Sequence, residues 1–321
     1  MKDKKVLFIT FDLSGYYDHI SKGLSKHFSD VESHNIAYIE FKYKNIFQKI
    51  YSAFYKIIKK QKLKNFYKLQ PIIESTQGKT YDYIIIVRPD LFFDVQLQQL
   101  KKRTKHFIAY YHDSINNIER KKDVIHFFDK VYAYEKKDVK DYNLDFLANF
   151  IYLDNYPSLT PIEYDGFTIM SKDYRLETLE KIASFFKANN ISYKFLVHSD
   201  KEQPKSDSLT FITKRQNNQT VLEHISKCNF IIDIHKYGIQ NGLTFRVFES
   251  LFFQKKLITS NHDIKTYDFY NPNNIYVLEP NKPVEIPLEF FNTPYQALPE
   301  AIYQKYHYTN WITTLINKND I

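Results

Sequence analysis

The sequence predicts an α/β protein of two successive halves, each built on a parallel β-sheet. Short apolar runs rich in Val, Ile and Phe alternate along the chain with longer stretches of helical periodicity, which is the pattern of βαβ units. This alternation pauses in a polar, proline-bearing stretch near residue 160 and then begins again. With 321 residues, the chain is too long for one typical domain and long enough for two hydrophobic cores.

In the first half, five apolar runs predict strands. The first run leads through the polar loop 11–15 into a helix that we expect to end near Phe28. The third run is stopped by residues 88–89, Arg-Pro, and the fourth by residues 112–114, His-Asp-Ser. The predicted strands cover residues 6–10, 35–41, 83–87, 107–111 and 130–134.

The second half repeats this order of elements without repeating the sequence. Its predicted strands cover residues 166–170, 193–198, 209–213, 230–234, 256–260 and 275–278, and its predicted helices 175–189, 220–227 and 244–253. Five prolines between residues 280 and 299 indicate an extended segment before a last helix near 300–316. We therefore expect Rossmann-like domains at 1–160 and 161–299, and a C-terminal helix within 300–321 that packs back on the first domain.

The composition is that of a globular protein, with 43% hydrophobic and 26% charged residues. The net charge of +8 is weak evidence for an anionic partner, because abundant Lys, Ile and Asn are typical of an AT-rich genome. A single cysteine excludes an internal disulfide. The apolar runs are too short for a signal peptide or a membrane-spanning helix. We therefore expect a cytoplasmic protein, either free or peripheral on the inner face of the cell membrane.

The segment 231–251 carries the clearest signs of a ligand site. A predicted strand ends there, a loop with two glycines follows, and a helix begins near Thr244. The free N–H groups at a helix start suit a diphosphate, and Gly242 would let the backbone approach it closely. Arg246 in the first turn makes sense beside an anion, and Glu249, one turn later, could accept hydrogen bonds from ribose hydroxyls. The alternative is a surface ion pair between these two side chains.

Residues 241–251, NGLTFRVFESL, and 256–261, KLITSN, resemble the donor-site signature of GT-B glycosyltransferases. The likeness is to bacterial lipopolysaccharide and capsule enzymes of the spore-maturation-protein-like branch, and it covers about 30 residues. It implies two Rossmann-like domains that face each other across a cleft, with a nucleotide-sugar in the C-terminal one. It also implies that Glu249 binds the ribose and Arg246 the phosphates. Residues 254–256, Gln-Lys-Lys, replace a glycine that many relatives have.

Further candidates for donor binding lie on the same half, where predicted strands end or helices begin. Arg175 could instead be a solvated helix residue, and His198 a capped or solvent-facing histidine. The predicted donor-binding residues are Arg246, Glu249, Gly242, Thr244, Asn241, His235, Arg175, Lys172, Asn261 and His198.

The first half is expected to hold the acceptor and the catalytic base. Asp12, His112 and Asp113 follow predicted strands, and glycosyl transfer requires a group that removes the acceptor proton. Asp113 could orient His112 or act itself; alternatively Asp12 caps the following helix, and residues 112–113 form only a turn. The residues expected to border the acceptor are Ser14, Gly15, Tyr16 and Arg88.

No metal or cofactor is expected, and the nucleotide-sugar is a substrate. The chain has no Asp-x-Asp motif, with which metal-dependent glycosyltransferases commonly hold a cation, and no histidine–cysteine cluster at zinc spacing. A Gly-x-Gly-x-x-Gly motif is absent after the first strand, which argues against a nicotinamide enzyme.

A basic amphipathic stretch lies at residues 42–68. Between Phe41 and Ile73 there are nine lysines and no acidic residue, and Ile and aromatic residues recur there at helical spacing. This pattern suits the surface of an anionic membrane, but it equally fits a helix that faces the core and exposes its lysines. We expect no nucleic-acid binding, because no motif for it accompanies the lysines.

The sequence therefore predicts a glycosyltransferase that moves a sugar from a nucleotide-sugar donor to a saccharide or lipid-linked acceptor, in surface polysaccharide or lipopolysaccharide biosynthesis. Two alternatives stay open. One is a sugar-nucleotide epimerase, and the other is a non-catalytic nucleotide-sugar-binding module of a polysaccharide assembly complex.

Overall fold

A computed structural model describes residues 2–59, 61–155, 160–280 and 282–316. Within these residues the chain forms two six-stranded parallel sheets flanked by helices, which confirms the predicted α/β class. The chain divides into two compact units, Met1–Leu147 with Trp311–Ile321, and Ala148–Asn310. No helix among the described residues has the length and apolar character needed to cross a bilayer.

The first unit has the strand order β2-β1-β3-β4-β5-β6. Its strands are β1 (Lys2–Thr10), β2 (Phe28–Asn35), β3 (Tyr81–Val87), β4 (Thr104–Tyr111), β5 (Lys130–Ala133) and β6 (Asp145–Phe146). Its helices are α1 (Asp18–His27), α2 (Ile46–Lys59), α3 (Leu63–Ser75), α4 (Asp94–Lys101), α5 (Arg120–Val124) and α6 (Lys136–Tyr142). The strand order reverses between β1 and β3, and such a switch point leaves a crevice at the carboxyl ends of the strands.

The second unit has the strand order β12-β11-β10-β7-β8-β9. Its strands are β7 (Tyr164–Ser171), β8 (Tyr193–His198), β9 (Thr210–Ile212), β10 (Cys228–Asp233), β11 (Lys256–Thr259) and β12 (Ile275–Val277). Its helices are α7 (Leu176–Ala188), α8 (Asn218–Ser226), α9 (Phe245–Phe252), α10 (Leu288–Asn292) and α11 (Glu300–Lys305). The last helix, α12 (Tyr308–Leu315), begins in this unit, and its part from Trp311 onward is assigned to the first. The strand order of the second unit reverses between β7 and β10.

Both faces of the second sheet are covered, which explains its uninterrupted apolar strands. Ile231 and Ile232 are adjacent on β10 and belong to different hydrophobic clusters, one on each side of the sheet. Gly166 on β7 allows α7 to approach closely, since a Cβ at this position would lie 2.5 Å from the ring of Phe186. Close packing of α7 thus requires glycine at residue 166.

The second strand differs from the prediction. The sequence predicted it at 35–41, whereas β2 covers Phe28–Asn35 and residues 36–38 form a 3-10 turn. Because β2 is an edge strand, it can carry polar residues, and the apolar run after it is not needed in the sheet. The Asn35 side chain accepts a hydrogen bond from the Ala37 N–H and ends the strand.

The end of the chain also differs from the prediction. The single helix predicted at 300–316 is two helices, α11 and α12, because the backbone between them pairs with residue 151. The Ile151 N–H donates to the Tyr306 carbonyl at 2.7 Å, and the Tyr308 N–H donates to the Ile151 carbonyl at 2.9 Å. The same segment explains why the units divide after Leu147, before the predicted boundary at 160/161. Residues 156–159, 317–321 and Lys60, all in predicted segments, lie outside the described residues.

Candidate functional site

A cavity of about 680 Å³ lies in the second unit. The segments that follow β7, β10, β11 and β12 form its walls, so it lies where ligands bind in open parallel sheets. Four of the predicted donor-binding residues line it: Arg175, His235, Asn241 and Asn261. The sequence did not single out the two tyrosines Tyr174 and Tyr237 or the lysines Lys181 and Lys282 of the same lining.

His235 is fixed at the wall of this cavity by Ser260. The hydroxyl oxygen of Ser260 accepts from the His235 backbone N–H at 3.0 Å and lies 2.9 Å from Nδ1 of the ring. If the hydroxyl donates to Nδ1, Nε2 carries the ring proton and is the donor that a ligand oxygen would meet. Burial lowers the pKa of His235, so the imidazole is neutral near pH 7.

Arg175 is held beside His235 by two anchors. Its guanidinium donates to the Ile234 carbonyl at 2.6 Å, and it makes two hydrogen bonds, of 2.9 and 2.7 Å, to the Asp173 carboxylate. The bidentate geometry fixes the plane of the guanidinium. A cation that is oriented in this way without an ordering cost is well suited to an anionic ligand.

Asn261 ties the walls of the cavity together. Its side-chain amide donates to the Asn241 carbonyl at 2.7 Å, and its oxygen accepts from the Asp263 N–H at 3.1 Å. Both ends of the amide are engaged, so Asn261 positions the loop that carries Asn241. Gly238 in this loop has a left-handed backbone, with a φ of 76°.

Arg246 and Glu249 form the predicted i,i+3 pair at the start of α9, but they do not line the cavity. Glu249 is 1% exposed, and its second oxygen accepts a hydrogen bond from the Tyr152 hydroxyl at 2.7 Å. Burial raises the pKa of Glu249, although Arg246 and the Tyr152 hydrogen bond oppose this. Since both carboxylate oxygens are engaged, a ribose hydroxyl would have to displace Tyr152 or Arg246 to reach them.

The remaining donor candidates lie apart from the cavity lining. Thr244 is the N-cap residue of α9, and its hydroxyl donates to Asp233 at 3.0 Å. Lys172 is hydrogen-bonded to Gln203 at the surface. His198 ends β8 and is 9% exposed, which matches the alternative of a capped histidine.

In the first unit, Asp12 serves the turn that follows β1. One oxygen accepts from the N–H groups of Ser14 and Gly15 at 2.8 and 3.1 Å, and the other from that of Tyr17 at 2.8 Å. These bonds hold the turn that precedes α1, but they do not cap the helix, which begins at Asp18 with Tyr17 as its N-cap residue. Gly15 has a φ of 78°, so the turn requires its freedom, and Tyr16 lies in the same turn.

His112 and Asp113 form a side-chain pair at the end of β4. Nε2 of His112 lies 3.3 Å from the Asp113 carboxylate, and Nδ1 lies 3.4 Å from the Tyr17 hydroxyl. Burial lowers the pKa of His112, whereas its hydrogen bond to Asp113 acts in the opposite sense. Burial opposes ionisation of Asp113, but His112, with the charges of Lys121 and Arg88, holds its pKa well below the usual range. A neutral imidazole beside an ionised carboxylate is a competent proton acceptor.

Lys121 is a buried cation next to this pair, and the sequence gave no sign of it. It is fully buried, its ammonium donates to the Asp113 carbonyl at 2.5 Å, and it lies 4.9 Å from the centre of the Tyr111 ring. Burial lowers its pKa to about 8. A lysine within a run of like charges, here Arg-Lys-Lys at 120–122, is ordinarily solvated.

Arg88 stands at the end of β3 in a left-handed conformation with a φ of 74°, which is rare for a residue other than glycine. Its guanidinium makes two hydrogen bonds to Asp90, at 2.8 and 2.9 Å, and lies over the Phe11 ring. Strained backbone of this kind clusters at functional sites.

Among the residues that the structure describes, no group of three or more His, Cys, Asp or Glu side chains could hold a metal ion.

No protein-family profile and no curated protein matches the sequence. Among solved structures, the chain is similar to an alpha-glucosyltransferase in complex with UDP and a 13-mer DNA, with a TM-score of 0.46, 10% identity, and coverage of 87% of this chain and 84% of that one. For the glycosyltransferase SnogD from Streptomyces nogalater the TM-score is 0.43 and the identity 8%, and the match covers 98% of this chain and 95% of that one. For the UDP-GlcNAc 2-epimerase from Methanocaldococcus jannaschii the TM-score is 0.46 and the identity 10%, and the match covers 90% of this chain and 91% of that one. Similarity at these scores and identities carries no conclusion about the function of this chain.

Proposed function

We propose that the chain is a glycosyltransferase that binds a nucleotide-sugar in the cavity of the second unit and moves the sugar to a saccharide or lipid-linked acceptor. The observation that carries this proposal is the cavity at the strand ends, with an anchored guanidinium and a neutral histidine side by side on its wall. A volume of about 680 Å³ suits a ligand of nucleotide size.

The chemistry of the wall suits a nucleoside diphosphate. Arg175 offers a fixed positive charge, and His235 offers a ring N–H that needs no titration near pH 7. Tyr174 and Tyr237, which are exposed beside them, provide aromatic surface for a base, and the Tyr174 hydroxyl donates to the Tyr237 carbonyl at 3.1 Å. We assign the diphosphate to the Arg175–His235 side of the cavity.

We assign Arg246 to the phosphates as well, and Glu249 to the ribose, which requires the bound donor to extend beyond the cavity lining to the start of α9. Arg246 keeps 15% of its side chain exposed at the first turn of α9, where an anion is favoured. Glu249 holds this guanidinium in place in the absence of a donor. Its contact with a ribose hydroxyl would form on donor binding. The Tyr152 hydroxyl would then release Glu249 and keep its hydrogen bond with Asn218.

The catalytic base in this proposal is the His112–Asp113 pair of the first unit. Nδ1 of His112 takes the proton of the acceptor hydroxyl as the bond from the sugar to the diphosphate breaks, and the Asp113 carboxylate stabilises the imidazolium that forms. Stabilisation of the leaving diphosphate is assigned to Arg246 and the start of α9, without a metal. The resemblance of residues 241–261 to lipopolysaccharide and capsule enzymes supports a role in surface polysaccharide synthesis.

Nucleotide binding is the first test of this proposal. One nucleotide among UDP, GDP and CMP, or the corresponding nucleotide-sugar, should raise the melting temperature by roughly 5–10 °C at a concentration of about 100 times Kd. His235→Ala should weaken this binding by about tenfold or more, since it removes a hydrogen bond to a charged group. Differential scanning fluorimetry across a ligand titration measures both effects.

The matched control is His198→Ala, because His198 also ends a strand of the second unit but lies outside the cavity lining. This variant should bind like the parent. Equal loss in both variants, or no stabilisation by any of these nucleotides, would refute the donor site. Donor binding without any transfer or epimerisation by the parent protein would favour the non-catalytic module instead.

The pH dependence of transfer tests the base. Because burial lowers the pKa of His112 below its ordinary value of 6.5, the acid limb of kcat/KM should have its midpoint below pH 6.5. Asp113 raises that pKa, so Asp113→Asn should move the acid limb to still lower pH. A midpoint at or above 6.5, or an unmoved limb in the variant, would contradict the assignment of His112.

A further inference from the structure

Helix α2 exposes its apolar face, whereas an ordinary surface helix buries it. Seven large apolar side chains on it are each between 57% and 78% exposed. They form what we name the outer face of α2: Ile46, Phe47, Ile50, Tyr51, Phe54, Ile57 and Ile58. At about 100° per residue they fall within an arc of about 140°. A globular protein normally places such an arc against its core, so this exposure calls for a partner.

The side of α2 that faces the protein is polar. Ser52 is 5% exposed, and its hydroxyl oxygen lies 3.2 Å from that of Tyr43. Gln48 and Tyr55, one turn to either side, are half-buried, and the Tyr55 ring lies 6.2 Å from that of Phe93. The helix is therefore held by its polar stripe and aromatic edge, and this contact fixes the apolar residues outward.

Positive charge is concentrated in the stretch of chain that contains α2. The stretch between Phe41 and Ile73 has nine lysines and no acidic residue. Of the eight that the structure describes, seven are exposed: Lys42, Lys44, Lys49, Lys56, Lys59, Lys62 and Lys64. On the helix itself, Lys49, Lys56 and Lys59 are exposed and lie outside the apolar arc, at about 220–300° when Ile46 is set at 0°. Their long, flexible side chains can bend toward anionic headgroups while the apolar residues enter the acyl region.

We propose that the outer face of α2 docks on the surface of an anionic phospholipid bilayer. A second copy of the chain fits less well, because pairing two such faces would bring two sets of exposed lysines together. Ile, Phe and Tyr on one arc with flanking lysines is the composition of an interfacial helix, which lies in the plane of the membrane. The docking is independent of the donor cavity, which lies in the other unit, so the two proposals can fail separately.

Vesicle co-sedimentation tests the docking with two sets of variants. The probes are vesicles of phosphatidylcholine alone, and of phosphatidylcholine with phosphatidylglycerol in a ratio of about 3:1. Ile50→Gln with Phe54→Gln and Ile57→Gln removes apolar surface at constant charge and should weaken binding to the anionic vesicles more than about tenfold. Lys49→Gln with Lys56→Gln and Lys59→Gln should weaken it by roughly fivefold for each lysine neutralised.

Each set has a matched control of exposed residues elsewhere. For the apolar set it is Val95→Gln with Ile162→Gln and Leu288→Gln, and for the charge set it is Lys201→Gln with Lys205→Gln and Lys214→Gln. Both control proteins should bind like the parent, and all variants should keep the melting temperature and nucleotide response of the parent.

The parent should sediment with the anionic vesicles and stay in the supernatant with the neutral ones. Added salt should weaken the binding to the anionic vesicles. Docking is overturned if the parent does not bind the anionic vesicles, or if either α2 set binds as the parent does. It is also overturned if the parent forms a dimer in lipid-free buffer that the apolar set dissociates, because the outer face would then be a protein interface.

Discussion

His112→Gln should lower the rate of sugar transfer by about 10²–10⁴-fold, the usual contribution of a positioned general base. Glutamine keeps much of the volume and polarity of the imidazole but cannot accept a proton near neutral pH. The measurement is single-turnover release of the nucleoside diphosphate from the nucleotide-sugar that stabilises the protein. Affinity for that donor should stay within about twofold of the parent, since the donor cavity belongs to the second unit.

The control for this variant is His126→Gln, which replaces an exposed histidine of the same unit. It should leave the rate unchanged. The transfer rate of Asp113→Asn should lie between the rates of His112→Gln and His126→Gln, because this variant loses the carboxylate that stabilises the imidazolium but keeps the imidazole. A His112→Gln protein that releases diphosphate as fast as the parent would remove His112 from the mechanism.

The second large effect concerns stability. Arg246→Met should lower the free energy of unfolding by about 3–5 kcal/mol near pH 7, because it leaves the carboxylate of Glu249 buried without its charged partner. Burial already raises the pKa of Glu249 above 4.5, and loss of Arg246 raises it further. The folded state then binds more protons than the unfolded state above pH 4.5, so the destabilisation should grow as the pH rises through that window.

Arg246→Met with Glu249→Leu should recover most of the lost stability, since no buried charge remains. The Tyr152 hydroxyl would keep a partner, because the Asn218 side-chain amide donates to it at 3.1 Å. Nucleotide affinity should stay low in this double variant if Arg246 contacts the phosphates. Urea titrations of the single and double variants separate the structural role from the binding role.

The exposed ion pair between Lys137 and Asp141 gives the comparison: Lys137→Met should change stability little. If the single Arg246 variant is as stable as the parent, or the double variant is no more stable than the single, the pair is not the buried charge pair described above.

The central strands of both sheets could be predicted because they are buried on both faces. On β10 and β11, adjacent residues such as Ile231 and Ile232 pack into opposite clusters, so the whole strand reads as an apolar run. β2 could not be predicted in this way, because an edge strand needs no such run. The break between α11 and α12 depends on Ile151, and no local pattern reveals a partner so far along the chain.

The candidate site was predictable only where chemistry follows directly from chain order. Strand ends supplied His235 and Asn261 of the cavity, and the pair of His112 and Asp113. The hydrogen bond that closes over Glu249 comes from Tyr152, 97 positions away. Lys121 is buried in a run of like charges, where exposure is the usual outcome. Local periodicity predicts neither the Tyr152–Glu249 hydrogen bond nor the burial of Lys121, because both depend on how distant segments pack.

The orientation of α2 shows the same limit. Its amphipathic period was evident in the sequence, but the period alone does not tell which face is buried. The structure places the polar stripe with Ser52 inward and the apolar arc outward, and this is the reverse of the more common arrangement.

A crystal structure with a bound nucleoside diphosphate is the most direct test of the donor site. We expect the phosphates within hydrogen-bond distance of Nε2 of His235 and near the guanidinium of Arg175, with the nucleoside in the cavity of the second unit. An ordered nucleotide bound elsewhere on the chain, with that cavity filled only by solvent, would contradict the assignment.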